Sequence, residues 1–441
     1  MNIAAGVEET PQVRVIPAPQ SPRNVAETGL DEGFLVDLLV KTIYRQGLER
    51  STQMSAALRL PVPVIERLLA AAKEAKLIET LGQLGASMRA EMRYALTGKG
   101  REWALSALQQ SEYVGPAPVT IEAFSEQVRS QTIRSERLSE ETLREVFTGL
   151  VLSDQLYDSL GPAINSFSAI LLYGPPGNGK SSISNAVTVA FRDHIFIPHA
   201  LIVERQVVVV YDPTVHEPLE INQMGDFQGD GIRRERPFDQ RYVACARPSI
   251  TTGGELTLDM LDLSFNPTAR TYEAPIQLKA TGGVLVVDDF GRQRETPQQI
   301  MNRLIVPLEE GVDFLALQSG RKFQVPFDAL VVFSTNIPPK KLVDDAALRR
   351  LRYKILIDSP DQENFLKILV STAARFGLEV DEEKVAFMLF ELYERDKVKF
   401  QAFHARFFCD QARALAQYKG SEPELSERAL RTAWGNLFTS E

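Results

Sequence analysis

The stretch "LLYGPPGNGKSS", Leu171 to Ser182, constrains the fold more than any other part of the chain. It fits G-x-x-x-x-G-K-[ST] through Gly174, Gly179, Lys180 and Ser181, with Pro175, Pro176, Gly177 and Asn178 between them. Glycines in such a turn let the backbone curl tightly and aim its N–H groups at phosphate oxygens. A helix starting at Lys180, Ser181 and Ser182 adds the positive end of its dipole. An apolar run precedes the loop and the helix-compatible "SSISNAVTVAF" follows, so strand, loop and helix agree. The spacing predicts a nucleotide site: Lys180 reaches the β- and γ-phosphates, and the Ser181 hydroxyl ligates Mg²⁺.

Residues 166–358 alternate strand-like and helix-like segments, which predicts a parallel α/β sheet. Candidate buried strands are Ala169–Tyr173, Val284–Asp288, Ala329–Thr335 and Arg352–Ile357. The second ends in "GGVLVVDDFGRQ". Beside a phosphate loop, Asp288 would hold Mg²⁺ through water, and Asp289 would orient or deprotonate the attacking water. Asp289 is one methylene shorter than a glutamate, so it either works more slowly or is a polar strand end. The third strand, "ALVVFSTNIPP", ends at Thr335 and Asn336. Asn336 either bridges the attacking water and the γ-phosphate or is a turn residue before prolines. In "LVDDAALRRLRYKILI", Arg349, Arg350 and Arg352 are either a solvated face or fingers that complete a neighbouring subunit's site.

Around this core the chain divides further. Residues 1–29 are proline-rich and aperiodic, and read as a disordered tail. Residues 30–112 follow the order helix, helix, helix, hairpin, helix, and "LTGKGREWAL" looks like the exit from a wing. The segment resembles a winged helix-turn-helix domain. "YVGPAPV", residues 113–119, reads as a linker. Residues 359–441 have helical periodicity alone, with helices expected near 361–376, 381–394, 405–418 and 425–437.

Composition excludes several classes. A net charge of −9 supplies no global field for nucleic acid. Within 31–112, 11 Lys and Arg stand against 10 Asp and Glu. Arg67, Lys73 and Lys76 on the candidate recognition helix, and Arg89, Arg93, Lys99 and Arg101 around the wing, keep DNA contact open. The charge balance favours protein docking. Cys245 and Cys409 lie far apart and do not share metal-ligand spacing with His194, His199, His216 or His404, so neither a disulfide framework nor a structural zinc is expected. No apolar run is long enough for a membrane span and the N-terminus lacks a signal-peptide pattern, so a cytoplasmic protein is expected.

Phosphate loop, acidic strand end, Asn-ended strand, arginine cluster and helical C-terminal segment, in that order, resemble the AAA+ ATPase family across residues 120–441. The resemblance implies a P-loop α/β base over 120–358, with strand-rich inserts at about 200–280, and a helical lid over 359–441. Gly174 to Ser181 match Walker A, Asp288 and Asp289 match Walker B, and Asn336 matches sensor 1. Arg350 and Arg352 best match the finger positions, and Arg349 less well. Arg406 in "FHARFF" matches sensor 2, and Leu150 and Val151 in "GLVLSD" fall where the family packs apolar residues around adenine. Implied with these are ATP and Mg²⁺ as ligands, a homo-oligomeric ring of six, and a macromolecular client. One departure is length: 108 residues separate Lys180 from Asp288, where two βαβ steps need about 60.

Overall fold

The computed structural model describes residues 16–83, 91–219 and 238–438. The first unit comprises α1 (Glu32–Gln46), α2 (Ser51–Leu58), α3 (Val62–Glu74), the hairpin strands β1 (Ile78–Gln83) and β2 (Met92–Leu96), and α4 (Gly98–Gln110). Asp31 caps α1 by accepting from the Phe34 N–H, and Thr97 caps α4 by accepting from the Gly100 N–H. Leu35, Leu38 and Leu39 of α1 meet Val64, Ile65 and Leu68 of α3 in a shared core, as their spacing of three and four residues requires. Residues 84–90, the tip of the expected wing with Arg89, lie outside the described residues.

Two expectations for the flanks are corrected. Residues 16–29, read as part of a disordered tail, are packed: Ile16 is buried, and the Pro17 and Pro19 carbonyls accept from Gln127 Nε2 and the Asp239 N–H. Residues 1–15 lie outside the described residues. Residues 113–119, read as a linker, are a packed strap in which Ala117 and Val119 are fully buried and the Ala117 N–H donates to the Leu58 carbonyl. Composition marks a proline-rich segment as aperiodic, but not as unattached. A proline carbonyl still accepts, and here the neighbours donate.

The chain continues through β3 (Val119–Thr120), α5 (Ile121–Ser130), α6 (Glu140–Val146), α7 (Asp154–Asn165), β4 (Ile170–Tyr173) and α8 (Lys180–Thr188). An insertion follows with β5 (His194–Pro198), β6 (Ala200–Val203), β7 (Gln206–Val209) and β8 (Tyr242–Ala246), and the chain rejoins the base at β9 (Ser249–Thr252). Beyond lie β10 (Ser264–Asn266), β11 (Thr271–Glu273), α9 (Ile276–Lys279), β12 (Gly283–Val287), α10 (Pro297–Glu310), the hairpin of β13 (Val312–Ala316) and β14 (Lys322–Pro326), and β15 (Ala329–Thr335). The short α11 (Pro339–Leu342) and α12 (Asp345–Arg350) lead to β16 (Tyr353–Leu356).

The central sheet has the order β16-β4-β15-β12-β9, every pair parallel. Its inner strands β4, β15 and β12 are buried on both faces and largely apolar, because both faces are covered. Val284, Val286, Leu330 and Val332 point into one core with Ile183 and Val187 of α8. Leu285, Val331 and Phe333 point into the other with Ile300, Met301 and Leu304 of α10. The period of two sorts neighbouring residues to opposite layers.

Within the insertion β5 pairs with β8, while β6 and β7 join β3, β10 and β11 in a second sheet, β10-β11-β7-β6-β3, which carries the N-terminal unit. Ala200 of β6 and Val207 of β7 lie in that unit's core. Arg205, at the β6–β7 turn, pairs with Asp31 and Asp37 at 3.1 and 3.3 Å. Buried Arg241 pairs with Asp239 and donates to the Thr28 and Pro118 carbonyls, tying N-terminal segment, strap and insertion together. Residues 220–237 of the insertion lie outside the described residues.

The C-terminal unit contains α13 (Gln362–Arg375), α14 (Glu382–Phe387) running into a π-helical turn at Met388–Glu394, α15 (Ala402–Lys419) and α16 (Glu427–Leu437). Its core centres on Tyr393, whose ring meets those of Phe365, Phe400, Phe408 and Trp434. Among the described residues no helix is long and apolar enough to cross a membrane.

Candidate nucleotide site

The loop Gly174–Gly179 leaves the end of β4 and enters α8, with Gly179 at φ +90° as the residue before the first helical turn. Gly174 has no room for a side chain: a Cβ there would lie 2.2 Å from the Ile357 carbonyl at the end of the neighbouring edge strand, and φ is +147°. Lys180 is buried, and its Nζ donates to the Gly174 and Pro175 carbonyls at 3.0 and 2.7 Å. Burial pushes the Lys180 pKa down, while the nearby charges of Asp288 and Asp289 pull it back up. The two hydrogen bonds hold its side chain folded across the loop.

β12 delivers the acidic pair. The Asp288 N–H donates to the Thr252 carbonyl at 2.7 Å, which fixes the strand end against β9. Asp289 follows at φ +47°, and its N–H donates to Asp288 Oδ1 at 3.0 Å. The turn is tied to β15: the Phe290 N–H donates to the Ser334 carbonyl at 2.7 Å and Thr335 Oγ1 donates to the Phe290 carbonyl at 2.6 Å. Asn336 Nδ2 then reaches Asp289 Oδ1 at 3.4 Å. Gln293 Nε2 donates to the Gly253 and Asp288 carbonyls, each at 3.1 Å, and closes the turn on its other side.

A cleft of about 1280 Å³ collects most of the expected residues. Pro176, Gly177, Asn178, Gly179, Lys180, Ser181, Ser182, Asp288, Asp289 and Asn336 line it. So do Leu150 and Val151 from the segment before α7, Arg406 from α15, and Arg352 at the start of β16. Gly174 and Pro175 supply the carbonyls that hold Lys180. Arg349 and Arg350 do not line the cleft. They end α12, and Arg350 Nε pairs with Glu309 at 2.8 Å within the same chain. Arg406 is largely exposed, 3.5 Å from Asp410.

No group of three or more His, Cys, Asp or Glu side chains suited to a metal occurs among the described residues. That fits Mg²⁺, which takes one or two protein oxygens and completes its shell with phosphates and water. Asp288 and the exposed Ser181 both line the cleft.

Among the cleft residues that sequence reading missed are two from the C-terminal unit, Arg375 and Phe403. Arg375 at the end of α13 donates to the Gly149 carbonyl at 3.1 Å. Phe403 in the first turn of α15 packs on Gly177. Both contacts span more than 200 residues of chain, so no local period or spacing encodes them.

Residues 361–436 match the family model of a domain of unknown function, DUF8689. No curated protein sequence matches the chain. Among solved structures the chain is similar to NtrX from Brucella abortus in complex with ATP, at 12% identity and TM-score 0.38, over 77% of this chain and 64% of that one. A second NtrX structure from the same organism matches at 12% identity and TM-score 0.37, over 76% and 62%. The complex between subunits BchI and BchD of magnesium chelatase matches at 14% identity and TM-score 0.32, over 65% and 90%. The chain spans less than two thirds of the length of either NtrX chain. The functional reading that follows rests on the cleft itself.

Proposed function

We propose that the chain is an AAA+-type ATPase that binds and hydrolyses Mg·ATP in this cleft and works as a ring, most simply of six, to remodel a macromolecular client. The observation that carries it is the convergence on one cleft of a buried phosphate-loop lysine, two strand-end aspartates and Asn336, from three neighbouring strand ends of one parallel sheet. Ligands of such sheets bind beyond the carboxyl ends of the strands. Lys180 would hold the terminal phosphates, and loop N–H groups would cradle the rest. Ser181 and Asp288 would hold Mg²⁺, which neutralises phosphate charge. Asp289, kept in place by Asn336, would accept the proton of the attacking water. Leu150 and Val151 would pack against the base, and Arg406 would bring the lid's charge to the phosphates. Arg349 or Arg350, outside its own cleft, would serve a neighbouring subunit's site.

The N-terminal unit, taken as a winged helix, is proposed to engage a protein client. Three of the basic residues a DNA-binding surface would use are spent within the unit. Arg67 pairs with Glu32 at 3.3 Å, Arg93 with Glu49 at 2.6 Å, and Lys99 Nζ donates to the Ala75 carbonyl at 2.9 Å. Direct ATP-binding and turnover measurements test the enzyme reading. Wild type binds and turns over, while Lys180→Ala does neither. Full turnover by Lys180→Ala would sink it. A gel shift of the full-length protein on duplex DNA, titrated with salt, tests the client reading. Salt-sensitive binding at low ionic strength would replace the protein client with DNA.

A further inference from the structure

Helix α15 has no cap of its own. Its N-cap residue, Gln401, makes no side-chain hydrogen bond to the helix. The free N–H groups of the first turn are taken by the phosphate loop instead. The Ala402 N–H donates to Asn178 Oδ1 at 3.2 Å, and the Phe403 N–H donates to the Gly177 carbonyl at 2.9 Å. The Phe403 ring lies against Gly177, where a Cβ would come within 2.2 Å of Phe403 Cδ1. Asn178 is 7% exposed, and its Nδ2 also donates to Ser359 Oγ at 3.4 Å, just before the chain enters the C-terminal unit.

The Gly177 carbonyl and the Asn178 N–H belong to one trans peptide unit, so they point in opposite directions. With the carbonyl turned to α15, the N–H is turned away from it. We propose that Asn178 and this peptide are positioning groups that couple nucleotide occupancy to the seating of the lid. The first turn of α15 holds the peptide with its N–H presented to phosphate. A phosphate accepting from that N–H polarises the peptide and makes its carbonyl a stronger acceptor for Phe403. The coupling is reciprocal: whatever factor ATP adds to lid seating, a seated lid adds to ATP affinity. The proposal rests on the reading of the cleft as a nucleotide site.

Two variants of the full-length protein attack the Ala402–Asn178 bond from opposite sides. Ala402→Pro removes the N–H at a helix position that proline favours, after a residue already extended at φ −133° and ψ 140°. Asn178→Ala removes the acceptor. Each should weaken binding of a fluorescent ATP analogue about three- to tenfold, the value of one hydrogen bond. The double variant should bind no worse than the weaker single, because both remove the same bond. Hydrogen exchange supplies the second readout. Amides of residues 403–407 should slow on ATP addition in wild type, and this slowing should shrink in both variants. Wild-type affinity in both singles, fully additive losses, or exchange in wild type indifferent to ATP overturns the coupling. If wild type fails to bind ATP, the nucleotide reading falls. Seating is then judged by nucleotide-free exchange alone, which Asn178→Ala must speed at 402–407 if the loop caps the helix. If Ala402→Pro does not fold, the Asn178→Ala affinity and exchange decide the matter.

Discussion

Asp289 occupies the left-handed region at φ +47°, where Asp and Asn are several-fold enriched and longer side chains are disfavoured. The backbone that turns the chain from β12 toward Asn336 therefore suits the shorter carboxylate. This gives a physical reason for aspartate at a position where reach alone would favour glutamate. Asp289→Asn keeps the backbone preference and removes the base. ATP affinity and melting temperature should stay near wild type while turnover falls about 100-fold or more. An unchanged rate would show that another group activates the water. Asp289→Glu should keep measurable turnover but lower the melting temperature by a few degrees, from about 1 kcal/mol of backbone strain.

At the scale of elements, two joints can be tested. Arg303 of α10 binds the buried Asp313 of β13 at 2.7 Å, Asp262 at 2.9 Å and the Leu261 carbonyl at 2.8 Å. Arg303→Met leaves Asp313 without its cation, and should cost about 3–5 kcal/mol in urea unfolding. Arg303→Met with Asp313→Leu should recover most of that loss. The second, inside the C-terminal unit, is His404, buried on α15 with its Nδ1 at 2.8 Å from the Tyr393 hydroxyl. Burial pushes its pKa down to about 4, from an ordinary value of 6.5. The folded lid therefore holds the neutral ring. Its contribution is complete above about pH 6.5 and is lost as pH falls toward 4, because the unfolded chain then binds the proton first. Thermal melts between pH 7 and 4 should show that decline, and His404→Gln should flatten it. A slope unchanged by the substitution would assign the acid sensitivity elsewhere.

The whole molecule is arranged so that the cleft is built by the α/β base and the C-terminal unit, and the N-terminal unit is bolted to the insertion through Arg205 and Arg241. If the chain works in a ring, Arg350 has to leave or share its pairing with Glu309. Arg350→Ala should then leave ATP affinity unchanged and abolish turnover, and wild-type turnover per chain should rise with protein concentration as rings assemble. A full rate with Arg350→Ala would contradict the ring. Imaging with a slowly hydrolysed ATP analogue would show the assembly directly.

Sequence by itself determined the glycine-rich loop between a strand and a helix, the buried parallel strands and the pair of aspartates at a strand end, because each is written in contiguous residues. A strand buried on both faces must be apolar throughout, and a loop that cradles phosphate needs glycines at set intervals. It also located the four helical stretches of the lid within a few residues, since helical period is local. Only the tertiary structure decided that residues 16–29 and 113–119 are packed, that β6 and β7 of the insertion carry the N-terminal unit, and that Phe403 and Asn178 join the C-terminal unit to the loop. Those contacts depend on which donors lie opposite which carbonyls after segments distant in sequence have come together. The one local trace of the last is an absence: α15 begins at Gln401 without the Ser, Thr, Asp or Asn that would cap it, and folding supplies the cap from the phosphate loop.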